Sequence, residues 1–291
     1  MNAITVLTPT YNRASMLPNL REALLAQTKR DFLWLIVDDG STDETESLVR
    51  AWQAEGTLEI RYVKRENGGK HRALNTGIAV GETSPTFIVD SDDLPLPCAM
   101  EEIERIYEKY GLQDTLCGYS FTNVTRDGKP VTSKPLERAE ETATFADLRM
   151  KRYSVGDMSE IWFTEELQKA PFPEFDGEKF YSETGVWLRM SGPKAVVFVD
   201  KPILQRDYFA DGLTKNRTKQ LHNSPRGVLD VSKLLMTKQC GWRFNLRGGL
   251  RYCVFAHMLG MGCGAAMKES GRPCLTLLCW LPSLVLRKRW A

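Results

Sequence analysis

The chain has 291 residues, 42% hydrophobic and 26% charged, which excludes a disordered or collagen-like chain and allows one large domain with or without an appendage. Its net charge of +2 hides a division: residues 201–291 hold 16 Lys and Arg against 4 Asp and Glu, so the C-terminal part suits an anionic partner, either a membrane surface or nucleic acid. Seven cysteines, with no CxxC and no Cys/His zinc spacing, read as buried reduced thiols, and the opening MNAITVLTPTYN runs into a strand with no signal-peptide pattern.

Residues 3–9 read as a buried strand, and 15–28 as a helix with Leu17, Leu20, Leu24 and Leu25 on one face. FLWLIVD at 32–38 is an apolar run too short for a typical helix. Ser41 and Glu44 form a capping box that opens a helix to about residue 55. LEIRYV at 58–63 is a third strand, KRENGGK a loop, 71–80 a short helix, TFIVD a fourth strand and 98–110 an amphipathic helix. Strands alternating with helices predict a parallel sheet with helices on both faces, and ligands of such sheets bind beyond the carboxyl ends of the strands. TPTYNR, DDGSTD and DSDD follow the first, second and fourth strands, so three polar clusters share that rim.

From 115 to 208 the pattern becomes one of mixed or antiparallel strands continuing the same sheet, with a hairpin at Asp127 and Gly128 and a helix beginning near Tyr181. Residues 211–227 are polar and turn-rich, and link to a C-terminal helical part. There Arg243, Arg247 and Arg251 share one face if the segment is helical, although Gly248 and Gly249 weaken it. Residues 252–267 carry no Asp, Glu, Lys or Arg. Residues 274–290 are apolar, interrupted by Pro282, and end on Arg287-Lys288-Arg289 with Trp280 and Trp290. Both runs are too short to span a bilayer, and the mixture fits a segment lying in an anionic membrane interface. The alternative is helices packed on the rest of the chain or against a second copy.

The stretch FIVDSDDLPLP asks for an explanation, because three adjacent carboxylates at the end of a buried strand repel one another and are poorly solvated. In an extended segment Asp90 and Asp92 lie on one side, where they could hold Mn²⁺ or Mg²⁺ with phosphate oxygens completing the shell. The alternative is an Asp-rich turn capping the next helix. Lys70, at a helix start beside two glycines, suits a phosphate; otherwise it is a solvated lysine.

TPTYNR, QTKRDFLWLIVDDGSTDET, ENGGKHRALNTGI and DSDD resemble, in order and spacing, the family 2 glycosyltransferases with a GT-A fold. The resemblance covers residues 3–110 closely and continues weakly to about 208. It implies an α/β, Rossmann-related, mostly parallel sheet flanked by helices, with a C-terminal helical extension. Residues 1–210 would be the catalytic domain, 1–110 its nucleotide-sugar half and 111–210 its acceptor half, and 211–291 the extension. The implied donor is a nucleotide-sugar, usually a UDP-sugar, held by Pro9, Thr10, Tyr11, Arg13, Asp39, Lys70, Asp90 and Ser91. Thr10 and Tyr11 would line the base, and Asp39 would accept a hydrogen bond from it. Asp90 and Asp92 would hold the metal on the diphosphate, Asp92 more directly, and His71 could touch phosphate or be a surface histidine.

The family's base is an Asp of a Glu-Asp pair at a helix start. FYSETGVWLRMSG at 180–192 matches the later part of that motif, with Ser182 in place of the Glu and Glu183 in place of the Asp. Glu178 and Asp176 remain open as bases, and Glu183 as a helix-start residue stabilised by the dipole. The implied reaction is an inverting sugar transfer to a hydroxyl of a glycan or lipid-linked acceptor in surface polysaccharide synthesis. It would occur in the cytoplasm, peripherally at the inner face of the membrane and without a nucleic-acid partner. The rivals are a sugar nucleotidyltransferase, whose Gly-rich loop the first strand lacks, and a non-catalytic nucleotide-sugar-binding scaffold, which Ser182 favours.

Overall fold

The computed structural model describes residues 4–132, 135–152, 156–192, 194–206 and 217–287. Ala3, Tyr208 and Phe209 of the expected strands, residues 211–216 of the expected linker, and Lys288, Arg289 and Trp290 lie outside the described residues. The chain forms two compact units. The first comprises Met1–Thr144, Tyr153–Pro171 and Pro193–Asp207; the second comprises Phe145–Arg152, Phe172–Gly192 and Tyr208–Ala291.

The first unit is built on one sheet. Strands β1 (Ile4–Thr10), β2 (Phe32–Asp38), β3 (Ile60–Lys64) and β4 (Thr86–Ile88) run parallel in the order β3-β2-β1-β4. The connections are helices α1 (Leu17–Leu25), α2 (Thr45–Glu55) and α3 (Lys70–Val80), and α4 (Ala99–Tyr110) follows β5 (Leu94–Pro95). All seven residues of β1 are buried, because a central parallel strand is covered on both faces. Ile4, Val6, Trp34 and Ile36 join one core with Leu20, Leu24, Val49, Trp52 and Ile103 of the helices. The alternate residues Leu7 and Val37 face α3, whose Gly77 sits so close that an added Cβ would lie 2.3 Å from Leu7 Cδ1.

The sheet continues as mixed strands, as expected. β6 (Leu116–Thr125) runs parallel to β9 (Ala195–Arg206), while β8 (Ser159–Trp162) is antiparallel to β4 and β6. β5 and β7 (Glu140–Ala143) both pair antiparallel with β9. The turn at Asp127 and Gly128 forms, with Gly128 at φ +75° and Val124 bridging Pro130.

One local expectation fails. Helix α2 starts at Thr45, and Ser41 does not cap it. The Ser41 hydroxyl is taken by the Asn12 N–H at 2.8 Å, and Asp43 Oδ1 accepts from the Thr45 N–H instead. Ser41 therefore ties two loops together rather than closing a capping box.

The second unit is helical. After α5 (Thr164–Lys169) of the first unit come α6 (Glu183–Met190), α7 (Arg217–His222), α8 (Pro225–Leu235), α9 (Gly241–Met258), α10 (Cys263–Ser270) and α11 (Pro273–Arg287). Helix α9 runs through Gly248 and Gly249, since both glycines let neighbours approach. A Cβ on Gly248 would lie 2.9 Å from Leu235 Cβ of α8, and one on Gly249 would lie 2.9 Å from Cys279 Sγ of α11. The helix propensity lost there is offset by tertiary packing.

Helix α11 also runs through Pro282 rather than breaking. The carbonyl that Pro282 leaves unpaired belongs to Leu278, which is 66% exposed, so water can satisfy it. No helix of the described residues is long and apolar enough to cross a membrane. All seven cysteines are free, but burial holds only for Cys117, Cys240, Cys253 and Cys279. Cys98 and Cys263 are half-buried, and Cys274 is exposed on α11.

Candidate active site

In the first unit the loops after β1, β2 and β4 and the start of α3 meet at the carboxyl end of the parallel strands. Asn12, at φ +51°, holds the first two loops together: its N–H donates to Ser41 Oγ, and its side-chain oxygen accepts from the Thr42 N–H at 2.8 Å. Asp38 is fully buried and structural, accepting from the Ser41 N–H at 2.7 Å and from the Tyr62 hydroxyl. Burial and that carboxylate push the Tyr62 phenol well up.

Asp39, 4% exposed, gathers the glycine loop. Its carboxylate accepts from the Gly68 N–H at 3.0 Å, the Gly69 N–H at 2.6 Å, Asn67 Nδ2 at 3.1 Å and the Arg65 guanidinium. That fills most of its lone pairs, so a base hydrogen-bonded to Asp39 would replace one of these donors. Pro9 and Thr10 end β1. The Thr10 hydroxyl is buried with no partner among the described residues, whereas Tyr11 is 47% exposed. Arg13 lies on the same loop, its backbone N–H donating to Thr45 Oγ1 at 3.3 Å.

The DSDD segment is not extended. The Asp93 N–H donates to the Asp90 carbonyl at 3.0 Å, so Asp90, Ser91, Asp92 and Asp93 form a turn. The tightening follows from where the charges are met. Lys70 Nζ lies 2.6 Å from Asp90 Oδ1 and 2.8 Å from Oδ2. Arg206, at the end of β9, reaches Asp93 at 3.1 Å and Asp157 at 3.4 Å. Much of the positive charge the sequence called for is therefore supplied by the chain itself.

The carboxyls respond differently. Burial opposes ionisation of Asp90, but the charges of Lys70 and Arg206 hold it below the ordinary carboxylate range. Asp92 moves up, through burial first and the charge of Asp90 second. Asp93 also moves up, through burial and both neighbouring carboxylates, although Arg206 pulls the other way. Asp92 has no side-chain partner among the described residues, and an added cation would relieve its repulsion with Asp90. The pair suits a divalent ion whose shell is completed by phosphate, although the described residues hold no cluster of three ligand-type side chains that would suffice alone.

The structure thus brings Pro9, Thr10, Tyr11, Arg13, Asp39, Lys70, Asp90, Ser91 and Asp92 to the strand-end loops of one unit. His71 is buried at 3% exposure rather than on the surface. Arg206 escaped the sequence reading. Its only signal is its place at a strand end, and its partner Asp93 is brought opposite by the pairing of Leu94 with Gln205.

Glu183 belongs to the second unit, where it opens α6 with Ser182 as N-cap. Glu178, the first alternative base, is committed elsewhere: its two carboxylate oxygens accept from the Arg226 and Gly227 N–H groups at 2.8 and 2.9 Å, capping α8. Asp176 is exposed. Further along α6, Arg189 and the Tyr181 hydroxyl both bind Asp230 of α8.

The model of the family described as glycosyl transferase family 2 matches residues 5–164, more than half of the chain. The chain belongs to that family. Among curated relatives it is similar to the GalNAc(5)-diNAcBac-PP-undecaprenol beta-1,3-glucosyltransferase of Campylobacter jejuni, 25% identical over 81% of this chain and 74% of the relative. It is also similar to the poly(ribitol-phosphate) beta-N-acetylglucosaminyltransferase TarP of Staphylococcus aureus, 29% identical over 40% of this chain and 36% of TarP. The chain thus spans about three-quarters of the first of these glycosyltransferases and about a third of the second.

Two solved structures share the fold. S. aureus TarS 1–349 in complex with UDP-GlcNAc has a TM-score of 0.64 at 16% identity, covering 87% of this chain and 71% of that one. The mannosyltransferase PcManGT of Pyrobaculum calidifontis, in complex with GDP-Man and Mn²⁺, has a TM-score of 0.59 at 17% identity, covering 99% and 83%. The expected GT-A fold is thereby confirmed.

Proposed function

We propose that this glycosyltransferase moves a sugar, with inversion, from a UDP-sugar to a hydroxyl of a glycan or lipid-linked acceptor in surface polysaccharide synthesis. The observation that carries the donor site is the rim itself: a buried Thr10 hydroxyl with no partner among the described residues, a glycine loop held by Asp39, and an Asp92 carboxyl pushed up by burial and by Asp90, all on strand-end loops. The names of the C. jejuni and TarP relatives support a lipid-linked or polymeric acceptor, and the UDP-GlcNAc complex of TarS supports the donor class.

In this reading Thr10 and Tyr11 meet the base and Asp39 shapes the loop beneath it. Asp92 and Asp90 hold Mn²⁺ or Mg²⁺, which when bound supplies positive charge to the departing diphosphate. Lys70 and Arg13 add fixed positive charge at the same place, preorganised before the bond breaks. Glu183 takes the proton of the attacking hydroxyl, since Glu178 is occupied as a helix cap. Glu183→Gln should leave donor binding intact and slow transfer by about 100-fold or more, the usual size of a general-base contribution. Full activity in that variant would move the role to another carboxylate.

The enzyme in this reading works peripherally at the inner face of the cytoplasmic membrane. Helix α11 is inverted: Thr276 and Ser283 are fully buried, while Leu277, Leu278, Leu281 and Val285 are 57%, 66%, 72% and 72% exposed. In the same unit α9 exposes Trp242 and Leu246 beside Arg243 and Arg247. Apolar and basic residues together complement an anionic lipid surface, whereas a symmetric pairing of two copies would set these arginines against each other.

One observation favours a metal-free variant of the chemistry: Lys70 already engages both oxygens of Asp90. Transfer measured in EDTA distinguishes the two.

A further inference from the structure

Arg251 lies on α9 with Ser232 of α8 beside it. Its Nε–H donates to Ser232 Oγ at 2.9 Å, and that hydroxyl donates in turn to the Val228 carbonyl at 2.6 Å. Ser232 is fully buried, and Gly248 allows the two helices this proximity, since a Cβ there would lie 3.0 Å from the Ser232 carbonyl oxygen. The guanidinium is thus fixed by one edge. On the other edge Nη2 is buried and has no hydrogen-bond partner among the described residues.

No carboxylate among the described residues answers this charge. The groups whose charges reach Arg251 are two more arginines, Arg217 and Arg247, both exposed. Burial first, and those two charges next, push Arg251 down to about 10. A leucine or methionine would fill the same space without desolvating a cation, so fold stability gives no reason for an arginine here. A planar fork held by Nε, with Nη2 unpartnered among the described residues and two further guanidinium charges, has the chemistry that takes up phosphate oxygens. Arg251 as a whole is half-buried, so part of its side chain meets solvent although Nη2 does not.

We propose that Arg251, Arg247 and Arg217 form a binding site for a phosphate or diphosphate group, built wholly within the helical unit. The group is either the headgroup of an anionic lipid or the diphosphate of a soluble or lipid-linked ligand. The proposal does not depend on the assignment of the DSDD rim.

The test uses the full chain in EDTA at constant ionic strength, with inorganic pyrophosphate as the probe and thermal unfolding and calorimetric titration as readouts. Pyrophosphate should raise the wild-type midpoint saturably, and Arg251→Met should weaken that binding at least tenfold. Without anion, the variant should unfold at the same temperature as wild type or higher, because an unpaired buried charge has been removed. Arg247→Gln, at an exposed position, should weaken binding several-fold and keeps the test open if Arg251→Met folds poorly.

Equal pyrophosphate responses in wild type and both variants would overturn the proposal. So would a wild type that does not respond at all, with a destabilised Arg251→Met. Vesicles of phosphatidylglycerol and of phosphatidylcholine separate the sources. If Arg251→Met also loses binding to the anionic vesicles, the site takes a lipid headgroup. If vesicle binding is unchanged while pyrophosphate binding falls, the site takes a diphosphate ligand.

Discussion

Replacing Asp92 by Asn removes one charge while keeping the side chain's shape, and it moves two measurable quantities in opposite directions. In the free protein Asp92 is pushed up by burial and by the charge of Asp90, and the charges of Arg13 and Lys70 offset this only in part. Two like charges about 4 Å apart cost about 4 kcal/mol at an effective dielectric of 20. Half-burial and the counter-charges of Arg13 and Lys70 reduce this to about 1 kcal/mol. Asp92→Asn should therefore leave the unfolding midpoint unchanged or raise it by a few degrees. With Mn²⁺ present the same variant loses one of two carboxylate ligands, and donor affinity should fall at least tenfold, about 1.4 kcal/mol. The assay is a titration of UDP-sugar followed by thermal unfolding, with Mn²⁺ and with EDTA. If Asp92→Asn were destabilised by several degrees in EDTA, the carboxylate would be a structural partner and the repulsion argument would be wrong. Unchanged Mn²⁺-dependent donor affinity would remove Asp92 from the metal site.

Two further outcomes follow from other parts of the chain. Glu140 is held down to about 2 by the hydrogen bond from Lys109 at 2.6 Å, with Tyr110 and Arg105 adding to it against burial. Its folded value lies below the ordinary 4.5, so its stabilisation is present above that pH and lost as pH falls toward about 2. The midpoint difference between wild type and Glu140→Gln should be largest above pH 5 and shrink on acidification; a difference that did not change with pH would refute the linkage. Leu278→Glu and Leu281→Glu, both on the exposed stripe of α11, should abolish co-sedimentation with anionic vesicles while leaving the unfolding midpoint within a degree or two. Unimpaired sedimentation would place the contact elsewhere.

The parallel half of the sheet was legible because β1 and β2, buried on both faces, are largely apolar runs bounded by turn residues, and that burial writes the pattern directly into the sequence. The three polar clusters were legible as a rim for the same reason, since strand ends fix where loops emerge. Other features depended on distant partners. Ser41 looks like a helix cap until Asn12 claims its hydroxyl, and the aspartates look extended until Lys70 and Arg206 fold them into a turn. Gly248 and Gly249 read as helix weakeners, since propensity does not say which helices will press against them. Pro282 reads as a break for a similar reason: the exposure of Leu278, which lets the helix continue, is set by packing.

The central claim is that the strand-end rim binds a nucleotide-sugar through a divalent ion and transfers its sugar. The most direct measurement is release of the nucleoside diphosphate by the full chain, supplied with UDP-, GDP- and dTDP-sugars, a lipid-linked glycan acceptor and either Mn²⁺ or EDTA. Release from a UDP-sugar that requires both acceptor and metal, and that falls at least about 100-fold in Glu183→Gln, is the predicted result. Release unaffected by EDTA, by Asp92→Asn and by Glu183→Gln would contradict the account.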